Sequence, residues 1–439
     1  MGQLIRKDYS FIARPVKPPS LTIGSSSTMF KWSDGALRSS FILDRISRDY
    51  VEHAKPVITT IIPTCNRSRT LKRAIQSVLD QTYADFQLCI YDNASEDDTE
   101  SIVSEMKEKD KRIQYFRHPR NIGPLNNFNF GLSRVSTPFF SFLCDDDALL
   151  PDFYQTALRC FKRHPGTLFA AGECITMENG KVIEFSTHKE GYYSEPESLL
   201  ELVEGAAPYF PVMPAILFRQ DVVNKVGLFD AEIGAADIDF EYRTVVKGPF
   251  VLFKMPCAVT ERHASSSSVW ADYRFFWPGW LKMIEKLTAS ERLPPHVSAR
   301  LAKALHRHLP RIIFGLAVQN IAYGKTSGAY GAAELLKREY GLKMYPLILI
   351  GLARTQEIRL LMPLLRSIDT SQFIPSLYEL IRKLVLKKKS IRKIEKELQP
   401  YLKYWELLSA ENVFLARDEV GRSTLAGVAR ANEWFERRD

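Results

Sequence analysis

Four short apolar runs, at residues 57–62, 86–91, 113–116 and 139–143, alternate with segments whose apolar residues recur at helical spacing, and this alternation constrains the fold more than any other feature. The first run is largely β-branched, and Leu71, Ala74, Ile75, Val78 and Leu79 follow it on one helical face. The second run leads to Asp98 or Thr99, either able to cap a helix carrying Ile102, Val103 and Met106. The third leads to a helix carrying Leu125, Phe128, Leu132 and Val135. Strands joined through helices pair in parallel with right-handed crossovers, so the expected fold is an α/β sheet covered on both faces. Such sheets bind ligands beyond the carboxyl ends of their strands. Thr64, Asn66, Arg67, Asp92 and Asp145, Asp146 and Asp147 all fall at those ends.

The pattern is mixed beyond that point. Residues 168–175 and 181–185 flank Asn179-Gly180, a strong hairpin signal. A further strand is expected at 215–218, a turn at 226–230, a helix opening at 237–241 and a last strand at 251–255, ahead of Glu261, Arg262 and His263. From about residue 272 the chain reads as helical, with amphipathic runs at 297–323, 332–340 and 373–398. Before residue 56, Pro18-Pro19-Ser20 and the serines at 25–27 favour irregular chain around a short helix at 40–51. The expected division is an N-terminal extension at 1–55, a sheet domain at 56–270 and a helical domain at 271–439.

A chain of 439 residues, 45% of them hydrophobic, can bury a sizeable core in two or three domains. Its net charge of +9 is uneven, with the basic excess in the last third. The six cysteines form no Cys-x-x-Cys pair and read as reduced thiols of a cytoplasmic protein. The best apolar segment, 344–353, has about half the length needed to span a bilayer, so no transmembrane helix is expected. Lys383, Lys387, Lys388, Lys389, Arg392 and Lys393 are interleaved with apolar residues. That cluster reads either as a solvated helix face or as a peripheral contact with the inner, anionic face of a membrane. No nucleic-acid motif accompanies it.

Cys144-Asp145-Asp146-Asp147 directly follows the fourth strand. Adjacent carboxylates repel and cannot pack in a core without compensation. One reading is a solvated turn capping the helix that starts near Pro151. The other is a set of hard oxygen ligands for Mg2+ or Mn2+, which combines one or two carboxylates with phosphate oxygens.

The ordered set 60–67 (Thr-Ile-Ile-Pro-Thr-Cys-Asn-Arg), the helix at 71–81, Tyr91-Asp92-Asn93-Ala94-Ser95, Asn121-Ile122-Gly123 and the acidic triplet resembles the inverting glycosyltransferases of family 2, which have the GT-A fold. The resemblance covers residues 57–268. It implies a GT-A mixed sheet and metal-dependent transfer of one sugar from a nucleotide-diphosphate donor, UDP-sugar first, to a hydroxyl of a glycan or lipid-linked acceptor. Bacterial surface polysaccharide synthesis is the implied setting, and a homo-oligomer is compatible with it. Pro63, Thr64, Asn66, Arg67, Asp92 and Asn121 would hold the nucleotide, with Asp92 on the base.

By the same resemblance Asp145 would contact the ribose and Asp147 the metal, with Asp146 the alternative ligand. Cys144 stands where many relatives carry another acid. Asp237 in Ala236-Asp237-Ile238-Asp239 matches the family's general base, with Asp239 in reserve, and His263 would reach the metal or pyrophosphate. Trp270, Trp277 and Trp280 could stack on a sugar, but sealing the helices against the sheet is the favoured reading. The competing functions are a sugar-phosphate nucleotidyltransferase, which should carry glycine in the loop at 63–67 and does not, and a noncatalytic glycan-binding or scaffold protein.

Overall fold

A computed structural model of the chain describes residues 56–186, 188–204, 211–263, 273–322, 325–361, 395–409 and 428–432. The extension at 1–55, Trp270 and the basic cluster at 383–393 lie outside the described residues.

The expected alternation is realised element by element. Strands β1 (Ile58–Thr64), β2 (Phe86–Asp92), β3 (Ile113–Arg117) and β4 (Phe139–Phe142) are separated by helices α1 (Ser68–Leu79), α2 (Thr99–Lys109) and α3 (Pro124–Leu132). β1 pairs in parallel with both β2 and β4, and β2 with β3. Next come β5 (Ala148–Leu149), α4 (Phe153–Arg163), β6 (Phe169–Glu178), β7 (Lys181–Ser186), β8 (Gly191–Tyr193), α5 (Ser198–Val203) and β9 (Ile216–Arg219). α6 (Asp221–Val226), α7 (Ala236–Val245) and β10 (Phe250–Arg262) complete the sheet region. The strand order is β3-β2-β1-β4-β9-β6-β10-β5, with β7 on β6 and β8 on β10.

β9 runs antiparallel to both β4 and β6, and β10 runs parallel to β6. Two reversals restore direction, so β6 and β10 point the same way as the first four strands. The carboxyl ends of β1, β2, β4 and β10 therefore share one edge. Asn179 (φ 51°) and Gly180 (φ 72°) turn β6 into β7 with both central residues left-handed, the geometry that matches strand twist in a tight hairpin.

β10 is longer than its sequence pattern suggested and is irregular. Between Leu252 and Ala258 it advances six positions while its partner β6 advances three, from Ala171 to Cys174. Gly172 sits opposite this bulge, where a Cβ would approach the Met255 carbonyl to 2.7 Å, so only glycine fits.

The sheet is buried on both faces. One apolar layer joins α1, α2 and α4 to it through Leu71, Ile75, Val103, Phe153 and Phe161. The other runs from Ile61, Phe140 and Phe218 through Phe240 into α8 (Tyr273–Thr288) and α9 (Pro295–Ala322). Trp280 is buried in that layer, and Trp277 donates its indole N–H to the Tyr340 hydroxyl at 3.0 Å. These two tryptophans seal helices rather than line a cleft. α10 (Ala329–Tyr340) and α11 (Met344–Leu361) pack on α9, and α12 (Glu395–Ser409) packs on α1, its Leu398, Tyr401, Trp405 and Leu408 joining an apolar cluster with Ala148 and Leu150. No described helix is long and apolar enough to cross a membrane.

Candidate functional site

Two loops at the shared edge are built as one interlocked object. Asn66, after β1, adopts φ 54°, and Ala94, after β2, adopts φ 60°. Asparagine tolerates the left-handed region, whereas an alanine held there is strained and needs support from its surroundings. The supports are on hand. The Asn66 N–H donates to Ser95 Oγ at 2.9 Å, the Glu96 N–H to Asn66 Oδ1 at 2.7 Å, and the Ser68 N–H to Asp97 Oδ2 at 2.9 Å.

Asp92 belongs to this scaffold. Its carboxylate has no exposed surface, accepting from the Ser95 N–H at 2.8 Å and the Tyr115 hydroxyl at 2.6 Å. A direct contact from Asp92 to a base requires Tyr115 to turn away. Arg117, partly exposed beside Asp92, donates to the Ser95 carbonyl at 2.8 Å. Asn121 closes the rim, accepting from Asn93 Nδ2 at 2.9 Å.

Asp145, Asp146 and Asp147 are all less than 10% exposed, so the triplet is not a solvated turn. Thr64 Oγ1 donates to Asp145 Oδ2 at 2.7 Å. Arg67 pairs with Asp146 and, at 3.4 Å, with Asp145. His263 Nε2 lies 2.9 Å from Asp146 Oδ2, and the Glu261 N–H donates to Asp147 Oδ1 at 3.1 Å. Arg73, reaching from α1, donates to the Asp146 carbonyl and to Glu261 Oε2, both at 2.6 Å. Thr64, Arg67, His263 and the three acids thus form one cluster, and Pro63 sits in β1 immediately before it.

The cluster lacks positive charge despite these partners. Burial pushes Asp145 up to about 7 against the pull of Arg67. Burial, with Asp146 beside it, also raises Asp147 well above the carboxylate range. Ligand atoms of Cys144, Asp146 and Asp147 lie within 4.8 Å of one another. Two carboxylates suit a hard divalent cation. The Cys144 thiol does not, and burial holds it protonated, its pKa raised well above the usual value. The donor set therefore fits Mg2+ or Mn2+ through Asp146 and Asp147.

Asp237 starts α7 on the same side of the molecule, close enough for its charge to help raise the Cys144 pKa. The residue is exposed, and the protein packed around the helix start raises its pKa against the pull of the N–H groups there. Asp239 faces inward with no exposed surface, paired to Arg243 at 2.7 Å. Arg243 donates onward to the carbonyls of Val226 and Leu228. Asp239 thus braces α7 against the turn after α6.

Residues 59–227 match the family described as Glycosyl transferase family 2. A Campylobacter jejuni protein, GalNAc(5)-diNAcBac-PP-undecaprenol beta-1,3-glucosyltransferase, is 34% identical over 39% of this chain and 55% of its own length. An uncharacterized glycosyltransferase of Rickettsia bellii is 34% identical over 58% of this chain and 37% of its own length. The chain thus spans about half or less of these relatives. The S. aureus TarS 1-349 structure in complex with UDP-GlcNAc aligns with a TM-score of 0.50 at 18% identity, over 74% of this chain and 91% of that one. At that identity the likeness bears on the fold alone.

Proposed function

We propose that the chain, whose residues 59–227 match glycosyltransferase family 2, transfers a single sugar from a nucleotide-diphosphate sugar to an acceptor hydroxyl, inverting the anomeric centre. The observation that carries this reading is the buried acidic triplet, charge-deficient even with Arg67 and His263 in contact, at the strand edge where the interlocked loops converge. A divalent cation supplies the positive charge that cluster lacks and gives the donor diphosphate a partner there. A bound cation neutralises negative charge gathering on the departing diphosphate.

The loops at 63–67 and 92–96 hold base and ribose, with Asp92 setting the second loop and Thr64 orienting Asp145 toward the ribose. Asp146 and Asp147 hold the cation, and His263 and Arg67 turn positive edges toward the diphosphate. Asp237 takes the proton of the acceptor hydroxyl as its oxygen bonds to the anomeric carbon and the bond to the diphosphate oxygen breaks. The raised pKa of Asp237 makes it a stronger base than an ordinary aspartate. For the acceptor we favour a lipid-linked glycan, since the Campylobacter relative is named for a PP-undecaprenol substrate. UDP-sugars are the first donors to try, and a peripheral position at the cytoplasmic membrane face suits such an acceptor.

The test is nucleotide release by purified protein, with and without Mn2+, over a panel of UDP- and GDP-sugars and lipid-diphosphate acceptors. Asp237→Asn should cut turnover at least about 100-fold while leaving donor affinity within a few-fold. Wild-type turnover by both Asp237→Asn and Asp147→Asn would remove the catalytic assignment and favour a binding protein.

A further inference from the structure

α12, more than 240 residues beyond the acidic loop in sequence, touches the chain immediately after that loop. Leu398, Tyr401, Trp405 and Leu408 share one buried apolar cluster with Ala148 and Leu150, directly downstream of the triplet. The contact is anchored at several points. Tyr404 donates its hydroxyl to Asp80 Oδ2 at 3.1 Å, at the end of α1. Tyr401 donates to Asn432 Oδ1 at 2.6 Å, and Asn432 Nδ2 donates to Asp152 Oδ2 at 2.6 Å.

Arg73 connects this helix to the site. Its guanidinium lies 3.8 Å from the centre of the Trp405 ring, and its Nη1 donates to Ser409 Oγ at 3.2 Å. The opposite side of the same planar group holds the Asp146 carbonyl and the Glu261 carboxylate. Glu261 in turn gives its backbone N–H to Asp147 and lies two residues before His263. A planar arginine clamped by an aromatic face has few alternative orientations, so the position of Trp405 fixes the direction of the Arg73 donors. Those donors fix where the backbone between Asp146 and Asp147 sits. Groups that orient metal-ligating carboxylates from behind commonly change metal affinity by an order of magnitude or more.

We propose that Trp405 is a positioning residue of the acidic loop, acting through Arg73, so that α12 sets the cation affinity of a site it does not touch. This rests on the reading of Asp146 and Asp147 as the cation ligands. α12 then belongs to the donor site as a brace.

The experiment is Mn2+ binding by electron paramagnetic resonance, with UDP and with GDP present, on the full chain. Trp405→Leu keeps apolar volume against Leu398 and Leu408 but removes the aromatic face. Trp405→Phe keeps a face. We expect Trp405→Leu to weaken Mn2+ about tenfold and Trp405→Phe to stay within about twofold of wild type. The donor KM should rise with Trp405→Leu more than kcat falls. A purely structural role predicts lowered melting temperatures for both variants with unchanged Mn2+ affinity, and that result overturns the proposal. Should Trp405→Leu not fold, Arg73→Lys decides. It keeps the charge and loses the fork, and a wild-type Mn2+ affinity in that variant overturns the proposal equally. Absence of Mn2+ binding by the wild-type chain with either nucleotide would instead strike the cation reading itself.

Discussion

Asp145→Asn should make the metal-free protein less sensitive to pH between about 5 and 7. Asparagine keeps one oxygen, able to accept from Thr64 while giving up the longer contact with Arg67, which reaches the other carboxylate oxygen, and it cannot ionise. In the wild-type fold, burial raises Asp145 from 3.8 to about 7. A carboxyl whose pKa rises on folding holds its proton more tightly folded than unfolded. Stability is therefore intact below pH 4 and falls as pH climbs through the window between those two values. Integrating the proton linkage gives a loss of about 4 kcal/mol across the whole window, of which about 2 kcal/mol falls between pH 5 and 7. The assay is urea unfolding at pH 5, 6 and 7 in EDTA at constant ionic strength. Over that range the variant should lose about 2 kcal/mol less than the wild type. Asp147 is present in both proteins, and loss of the Asp145 charge also eases its upward shift, which adds to the difference in the same direction. Parallel losses would refute the claim that burial, rather than solvent or Arg67, governs this carboxyl. Mn2+ and nucleotide should restore the wild type at pH 7, by about 2.7 kcal/mol when the ligand exceeds its Kd 100-fold.

Ala94→Gly should stabilise the protein by about 0.5–1 kcal/mol in urea unfolding, because relief of left-handed strain exceeds the extra freedom of glycine in the unfolded chain; Ala94→Val should destabilise it. Gly131→Ala should cost about 1–3 kcal/mol, since a Cβ there would stand 2.8 Å from Ile61 Cγ2 and 2.9 Å from Tyr91 Cε2 across the α3 contact with the sheet. Glu241 is buried among Phe169, Leu199, Val203, Phe250 and Leu301, and its Oε2 has no partner among the described residues. Glu241→Met should therefore raise stability by about 1–3 kcal/mol, and a drop in melting temperature would show that this acid has a partner in solution.

The sheet was legible because β1, β2 and β4 are largely buried and even the edge strand β3 carries a compact apolar run, so each signal is local. Residues 57–62, 86–91, 113–116 and 139–143 predicted strands that differ from the observed ones only at their ends. The Asn179-Gly180 turn was equally local. β5 and β8 were not foreseen, because two- and three-residue strands have no periodicity to read. In the site, Thr64, Arg67, the three acids and His263 were expected together, and the structure places them in contact. Arg73 escaped notice for a physical reason. At about 100° per residue it lies about 200° round α1 from Leu71, away from the apolar stripe, and reads as solvent-facing. It is buried between Trp405 of α12 and the acidic loop with Glu261, and no local pattern carries that information. Tyr115 and Arg117 were passed over because a strand aromatic and an edge arginine have ordinary explanations, and only the fold brings them to Asp92.

The bulge in β10 has a consequence for which changes in length the chain can absorb. Side chains alternate faces along a strand, so an odd number of extra residues exchanges the two faces for everything downstream. β10 gains three residues on β6 before Ala258, an odd number, and Glu261 and His263 lie beyond it. Removing or adding one codon between Phe253 and Cys257 would, if the bulge keeps its size, slide the pairing of everything downstream by one residue and turn the Glu261 and His263 side chains to the other face. A change of two codons would keep their facing. The carboxyl half of β10 is thus held in phase with the acidic loop by parity, a quantity that no single substitution can alter.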